Sequence, residues 1–263
     1  MTDLRDAPAP GPDVDAPTVG LEGRGSSLAA LADEIAGCRR CPRLVEWRER
    51  VAREKVARYA DEDYWGRPVP GFGDPAARLL IVGLAPAAHG GNRTGRVFTG
   101  DRSGDFLWTA LQRTGFSNLG VARRRDDGLR LDGAYVAAVV RCAPPLNRPT
   151  VAERDACLPF LAREIALLAD VRVVLALGGY GWDGFLRAAA ANGHVVRPRP
   201  RFGHGAEARV GPYEIVGSYH PSQQNTFTGR LTPAMFEAVI RRARELGGLD
   251  RPTGRGPVSF GVG

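Results

Sequence analysis

The 263-residue chain has little lysine, cysteine or methionine: one lysine, Lys55, four cysteines and two methionines. It also lacks any apolar run of signal-peptide or membrane-span length, which makes a soluble, cytoplasmic protein with no membrane partner the expectation. Disulfides are rare in that compartment, so four cysteines argue for a shared metal site over a disulfide scaffold. There is no phosphate loop ending in Gly-Lys-Ser/Thr and no dinucleotide fingerprint. With lysine almost absent, arginine carries the net charge of +7 at pH 7. That balance favours a polyanionic partner, because neutralising phosphates releases condensed counterions.

The chain can bury one sizeable core. Residues 1–25 and 250–263 are rich in Pro, Gly and charge without apolar periodicity, so flexible tails are expected around a domain at 26–249. Short runs rich in Val, Ile and Leu at Leu79 to Leu84, Tyr135 to Val140, Val171 to Leu177 and Tyr213 to Ser218 read as buried strands. Helical stretches separate them. In the last, Thr232 caps, Pro233 suits the first turn, and Phe236, Val239, Ile240, Ala243 and Leu246 form one stripe. Alternating strands and helices predict an α/β fold with a mostly parallel sheet, whose ligands gather at the carboxyl ends of the strands.

Cys38 and Cys41 form a C-x-x-C pair, whereas Cys142 and Cys157 lie far downstream and well apart. Zinc and an iron–sulfur cluster both accept four thiolates, and spacing alone leaves them open. Cys142 and Cys157 also fit as small core residues.

The loop after the first strand, Gly83 to Leu111, is rich in glycine, and a helix from about Ser103 could hold an anion at its start. The loop after the last strand places His220 before a proline at a strand's carboxyl end. Arg123, Arg124 and Arg125, and the interleaved Arg197, Arg199 and Arg201, fit either backbone contacts or solvated loops.

Three motifs, GLAPAAHGGNRTGRVFTGD (Gly83 to Asp101), VVRCAPPLNRPT (Val139 to Thr150) and HPSQQNTFTGRLTP (His220 to Pro233), together with the four cysteines, resemble the type B, or family 5, branch of the bacterial and archaeal uracil-DNA glycosylases. The resemblance runs from about Leu31 to Leu246. It implies a three-layer α/β/α sandwich on a four-stranded parallel sheet. It also implies a structural [4Fe-4S] cluster on Cys38, Cys41, Cys142 and Cys157, stapling the N-terminal helix to the segment between the second strand and the next helix.

The same resemblance assigns roles to individual residues. Phe98 would stack on an extruded base, its alternative being an ordinary core aromatic. Asn147 would belong to the active site, its alternative being a turn residue beside prolines. His220 would donate to a base carbonyl, and Asp101 would orient water or stabilise a cationic sugar. Asp101 could also cap the helix near Ser103; the two roles are compatible.

Uracil-specific relatives place an acidic or amide residue soon after the first strand, where this chain has Leu84 and Ala85. They also place an asparagine four positions before the third cysteine, where Ala138 stands. A pocket bordered by Ala85 and Ala138 lacks a polar edge-reader. The expectation is removal of uracil, hypoxanthine, xanthine, hydroxymethyluracil and ethenocytosine from double- or single-stranded DNA, in base-excision repair, by a nucleoid-associated monomer. Lys55, in a predicted helix far from the motifs, leaves no amine for a Schiff base, so the enzyme should be monofunctional. By position, Ser222, Gln223, Asn225 and Arg230 form the DNA-binding loop. Rival readings are another enzyme of this fold, acting on nucleotides or through a thiol, and a non-catalytic iron–sulfur DNA-binding module.

Overall fold

Strands and helices divide by burial. Runs such as LLIVG and VVLAL have no polar face, and a strand buried on both sides belongs inside a sheet covered by helices. The computed structural model describes residues 21–249. In chain order come α1 (Leu21–Gly37), α2 (Pro42–Glu54), β1 (Phe72–Gly73), β2 (Leu79–Gly83), α3 (Gly91–Thr94), α4 (Arg102–Arg113) and β3 (Ala134–Ala138). Then follow α5 (Val151–Leu167), β4 (Val173–Leu177), α6 (Gly178–Ala191), β5 (Glu207–Val210), β6 (Tyr213–Ser218), α7 (Gln223–Phe227) and α8 (Pro233–Leu246).

Helix α1 begins at Leu21, so residues 21–25 of the expected N-terminal tail are helical. The rest of that tail and the C-terminal tail lie outside the described residues. Among the described residues, no helix is long and apolar enough to cross a membrane.

The sheet has six strands in the order β1-β3-β2-β4-β6-β5. The four expected strands form its parallel centre, with Gly83 beside Ala138 and Leu177 beside Ser218 at the carboxyl edge. Beyond that expected centre, β1 and β5 add antiparallel edges. Both escaped the sequence pattern for physical reasons: β1 is only a Phe-Gly pair, and β5, EARV, alternates exposed and covered positions on a solvated rim. Lys55 is also corrected, since it lies just past the end of α2 with φ +53° and donates to the Ala60 carbonyl at 3.0 Å.

Alternation along each central strand sends side chains to two cores. Leu80, Val82, Ala137, Val174 and Ala176 pack with Leu161, Ile165, Trp182 and Phe185 of α5 and α6. Leu79, Ile81, Val136, Leu175 and Val216 pack on the other face with Leu107, Trp108, Phe236 and Ile240 of α4 and α8. The connection from β2 therefore leaves over one face and that from β4 over the other. Neighbouring strands with opposed connections make a crevice at their carboxyl ends, where α/β folds bind ligands.

Under the edge strand β1, the buried Arg141 guanidinium pairs with the buried Glu164 carboxylate. Glu164 also accepts from the Gly71 amide at 3.2 Å and lies 3.5 Å from the Tyr135 hydroxyl. Removing one partner of a buried pair strands a charge at a cost of about 3–5 kcal/mol. We expect Glu164→Gln to lose that much in chemical denaturation, and Arg141→Met with Glu164→Leu to recover most of it. A single-variant loss below about 1 kcal/mol would show the pair to be solvated.

Candidate active site and four-cysteine centre

Gly83 ends β2 because the Phe98 ring occupies the space beside it; a Cβ there would meet Phe98 Cζ at 2.8 Å. Phe98 has φ +50°, a left-handed conformation disfavoured for a bulky residue. Surrounding groups hold it there. Its carbonyl accepts from Trp108 Nε1 of α4. Buried Arg96 donates to the Thr99 hydroxyl at 2.9 Å, and its Nη2 reaches both Asp127 oxygens at 2.7 and 2.8 Å. Buried Arg93 reaches the Gly100 carbonyl at 3.2 Å. Strain retained by several locked neighbours is a mark of functional segments.

His220, just past β6, faces this aromatic with ring centroids 6.0 Å apart and planes tilted by 31°. Its carbonyl accepts from the Asn225 side chain at 2.9 Å and the Ser222 amide at 2.8 Å. Burial pushes the imidazole down to about 4, so it is neutral at physiological pH. Among the described residues neither ring nitrogen has a hydrogen-bond partner. A neutral ring so placed can donate one N–H to a substrate oxygen.

Asp101 has the capping role expected of it: one carboxylate oxygen accepts from the Gly104 amide at 2.8 Å, at the start of α4. The other oxygen lies against Gly90, where a Cβ would come within 2.1 Å of it, so only glycine fits. Burial raises the Asp101 pKa, opposed by the Gly104 amide and assisted by the charge of Asp105. Asp101, Gly90, Asn147, Gln223 and Phe227 line one open cavity of about 970 Å³.

The structure thus gathers Asp101, Asn147 and Gln223 on one cavity and joins Phe98 to His220 at the adjoining strand ends. Phe98, His220, Ala85 and Ala138 do not line that cavity. Ala138 is buried beside Gly83 in the core that Phe98 packs against, and Ala85 is half-buried against the opposite core. Asn147 is exposed, with φ +55°, next to Leu146 at φ +54° and 84% exposed.

The expected loop from Gln223 to Arg230 opens with the short helix α7, capped by Ser222. Asn225 points inward to His220, and Arg230 lies over the Tyr219 ring at 4.5 Å. Arg123 reaches the cavity and pairs with Asp105, Arg125 covers Trp65, and Arg199 pairs with Asp183. His89, inside the first motif, is among the cavity residues not singled out from sequence. The Tyr64 hydroxyl lies 3.0 Å from its Nδ1, and burial followed by the Arg93 charge lowers its pKa.

The four cysteines come from just past α1, the N-cap of α2, the loop after β3 and the middle of α5, and all are free. All four line one small cavity of about 20 Å³ with Arg48 and Arg141. The Arg141 amide donates to Cys157 Sγ at 3.3 Å, and Arg48 donates to Cys142 Sγ at 3.0 Å. Burial pushes the Cys142 thiol up to about 11 and the Cys157 thiol up to about 12. A raised pKa makes a thiol a poor nucleophile, and a bound metal cation would favour its thiolate. Among the described residues, no three His, Cys, Asp or Glu side chains are grouped to hold a single metal ion.

The buried imidazole sets a testable pH signature. In NMR, the His220 ring should titrate near pH 4 with no inflexion near its ordinary value of about 6.5. Stability should fall as pH drops from about 6.5 towards about 4, because the unfolded chain takes up a proton that the folded ring excludes. A His220 midpoint above about 6 would mean a solvated ring.

The pattern of the uracil DNA glycosylase superfamily matches residues 70–244. A type-5 uracil-DNA glycosylase of Mycobacterium leprae is 51% identical over 87% of this chain and all of its own length. One from Mycobacterium tuberculosis is 53% identical over 88% of this chain and 85% of its own. Another, from Thermus thermophilus, is 49% identical over 84% of this chain and 98% of its own. Matches of this length and identity show that the chain belongs to the uracil-DNA glycosylase superfamily, on its type-5 branch.

Proposed function

We propose that the protein is a monofunctional DNA glycosylase that hydrolyses the N-glycosidic bond of uracil and of other deaminated or altered bases, leaving an abasic site. The observation that carries this reading is the Asp101 carboxylate at the cavity, with one oxygen held by a helix cap, next to the Phe98–His220 pair. Breaking the bond builds positive charge on the sugar and negative charge on the departing base. The half-buried Asp101 carboxylate can orient water and stabilise that cation, and the neutral His220 can donate to the base oxygen without first giving up a full charge.

The extruded base would lie on Phe98, whose backbone is locked before any substrate arrives. Asn147 at the rim supplies an amide to the nucleotide. At positions 85 and 138, where uracil-specific relatives carry polar groups, this chain has alanines, which supports a range extending to hypoxanthine, xanthine, hydroxymethyluracil and ethenocytosine. Lys55 Nζ is engaged by the Ala60 carbonyl, which supports hydrolysis over a Schiff-base step. The relatives named above are named as enzymes, which disfavours a non-catalytic binding module.

The cofactor in this reading is a [4Fe-4S] cluster on Cys38, Cys41, Cys142 and Cys157. It would cross-link α1, α2, α5 and the segment after β3 through iron–thiolate bonds. Two observations support a group bound through four thiolates, and the choice of iron over zinc rests on the family resemblance. All four cysteines line one cavity. Their raised pKa values suit sulfurs that exist as thiolates only when metallated.

Asparagine caps a helix as well as aspartate does, so Asp101→Asn separates chemistry from folding. On uracil-containing oligonucleotides it should lose about 10²- to 10⁴-fold in kcat with unchanged thermal stability. His220→Ala should lose about 10²- to 10³-fold. Full activity in both variants would sink the mechanism. A substrate panel that shows uracil release but none of hypoxanthine would overturn the broad range.

Phe227, 67% exposed on the cavity lip with Arg102 over its ring at 5.2 Å, is suited to entering the space left by the base. Phe227→Ala should therefore slow excision from duplex DNA severalfold and leave single strands nearly unaffected. Equal losses on both substrates would assign Phe227 to the pocket instead.

A further inference from the structure

Four arginines are buried among the described residues: Arg48, Arg93, Arg96 and Arg141. Arg93 pairs with Glu62, Arg96 with Asp127 and Arg141 with Glu164. Arg48 is the exception. It is 2% exposed, and the nearest carboxylate oxygen in an ion pair with it, on Glu49, is 4.0 Å away and is bound by Arg39. Its close partners are Cys142 Sγ at 3.0 Å and the Cys38 carbonyl at 3.1 Å, and its Nε is buried without any partner.

A guanidinium enclosed in protein needs a compensating anion, since burying an unpaired charge costs several kcal/mol. Neither a neutral thiol nor a carbonyl carries the charge required. Arg48 lines the cavity of the four cysteines, so the missing anion belongs there.

We propose that Arg48 is the built-in counter-cation of the group held by the four cysteines: its guanidinium donates to the Cys142 thiolate, offsets the negative charge of the thiolate-bound cluster, and raises its reduction potential. This rests on the [4Fe-4S] reading. A cluster with four thiolates is a net anion, and its potential is set by net charge and by hydrogen bonds to sulfur. Each electron added makes the group more negative, so a fixed cation favours the reduced form. The same contact ties α2, which carries Arg48 and begins after Cys41, to the loop after β3.

The test uses the full-length protein, measuring iron and sulfide content, the visible spectrum and the reduction potential in wild type, Arg48→Met and Arg48→Lys. Met keeps bulk without charge; Lys keeps charge and a donor. The expected result is a more negative potential and severalfold faster cluster loss to an iron chelator in Arg48→Met, with Arg48→Lys near wild type in potential. If Arg48→Met folds without iron while Arg48→Lys loads, the charge role also stands. A loaded Arg48→Met at the wild-type potential overturns it, as does failure of both variants to load, which would mark packing as the role. Wild-type protein without iron would instead remove the cofactor reading itself, an outcome distinct from an unshifted potential.

Discussion

Strand β2 has no polar side. Leu80 and Val82 enter one core, Leu79 and Ile81 the other, and β3 and β4 take its hydrogen bonds on both flanks. A segment so enclosed has one register, because a slip of one residue would exchange the two faces. Its end is therefore a fixed point. The ladder continues past it, with the Val139 and Val140 amides donating to Gly83 and Leu84. Gly83 provides the flat backbone on which Phe98 rests, and Phe98 in turn abuts His220. The position of the whole candidate site follows from the burial of five residues.

Buried charge does a second kind of positioning. Arg93 and Arg96 reach the backbone or side chains of the segment between Thr99 and Gly100, and each is neutralised by an acid outside it. In surroundings of low dielectric such bonds resist exchange with water, so a loop rich in glycine is held as rigidly as an element of regular structure. That rigidity keeps Phe98 at a positive φ. Arg48 follows the same rule with a different anion. Three arginines find carboxylates, and the fourth faces sulfur.

The central sheet was legible because burial on both faces leaves continuous apolar runs, and the last helix because Thr232 caps it and Pro233 starts it. The edges were not. Two residues make no period, and a rim strand tolerates any residue that keeps the ladder. The candidate site was legible where a motif holds several residues in one loop, as with Phe98 and Asp101. Sequence alone left Asp101 between cap and chemistry; the structure shows the cap, with one oxygen on the Gly104 amide and the other against Gly90. What separation in sequence concealed was partnership. Tyr64 with His89, and Arg48 with Cys142, are joined only by folding.

On the proposed chemistry, the apolar surroundings at Ala85 and Ala138 shift the burden of selection. A pocket that offers no hydrogen bond to a base edge distinguishes bases by shape and stacking, which yields roughly 1–3 kcal/mol per methyl-sized difference. A normal base must be excluded by more than that. The remaining discrimination has to arise before the pocket, in the work of unstacking and unpairing a nucleotide, which is least for mismatched or damaged bases. Deaminated bases share weakened pairing with their original partners and differ widely in edge pattern. An enzyme that samples pairing strength at the duplex and then accepts many shapes against a fixed aromatic treats them as one class. Phe98, held beside the apolar ends of β2 and β3, suits that division, and a polar edge-reader would defeat it by rejecting most of the class.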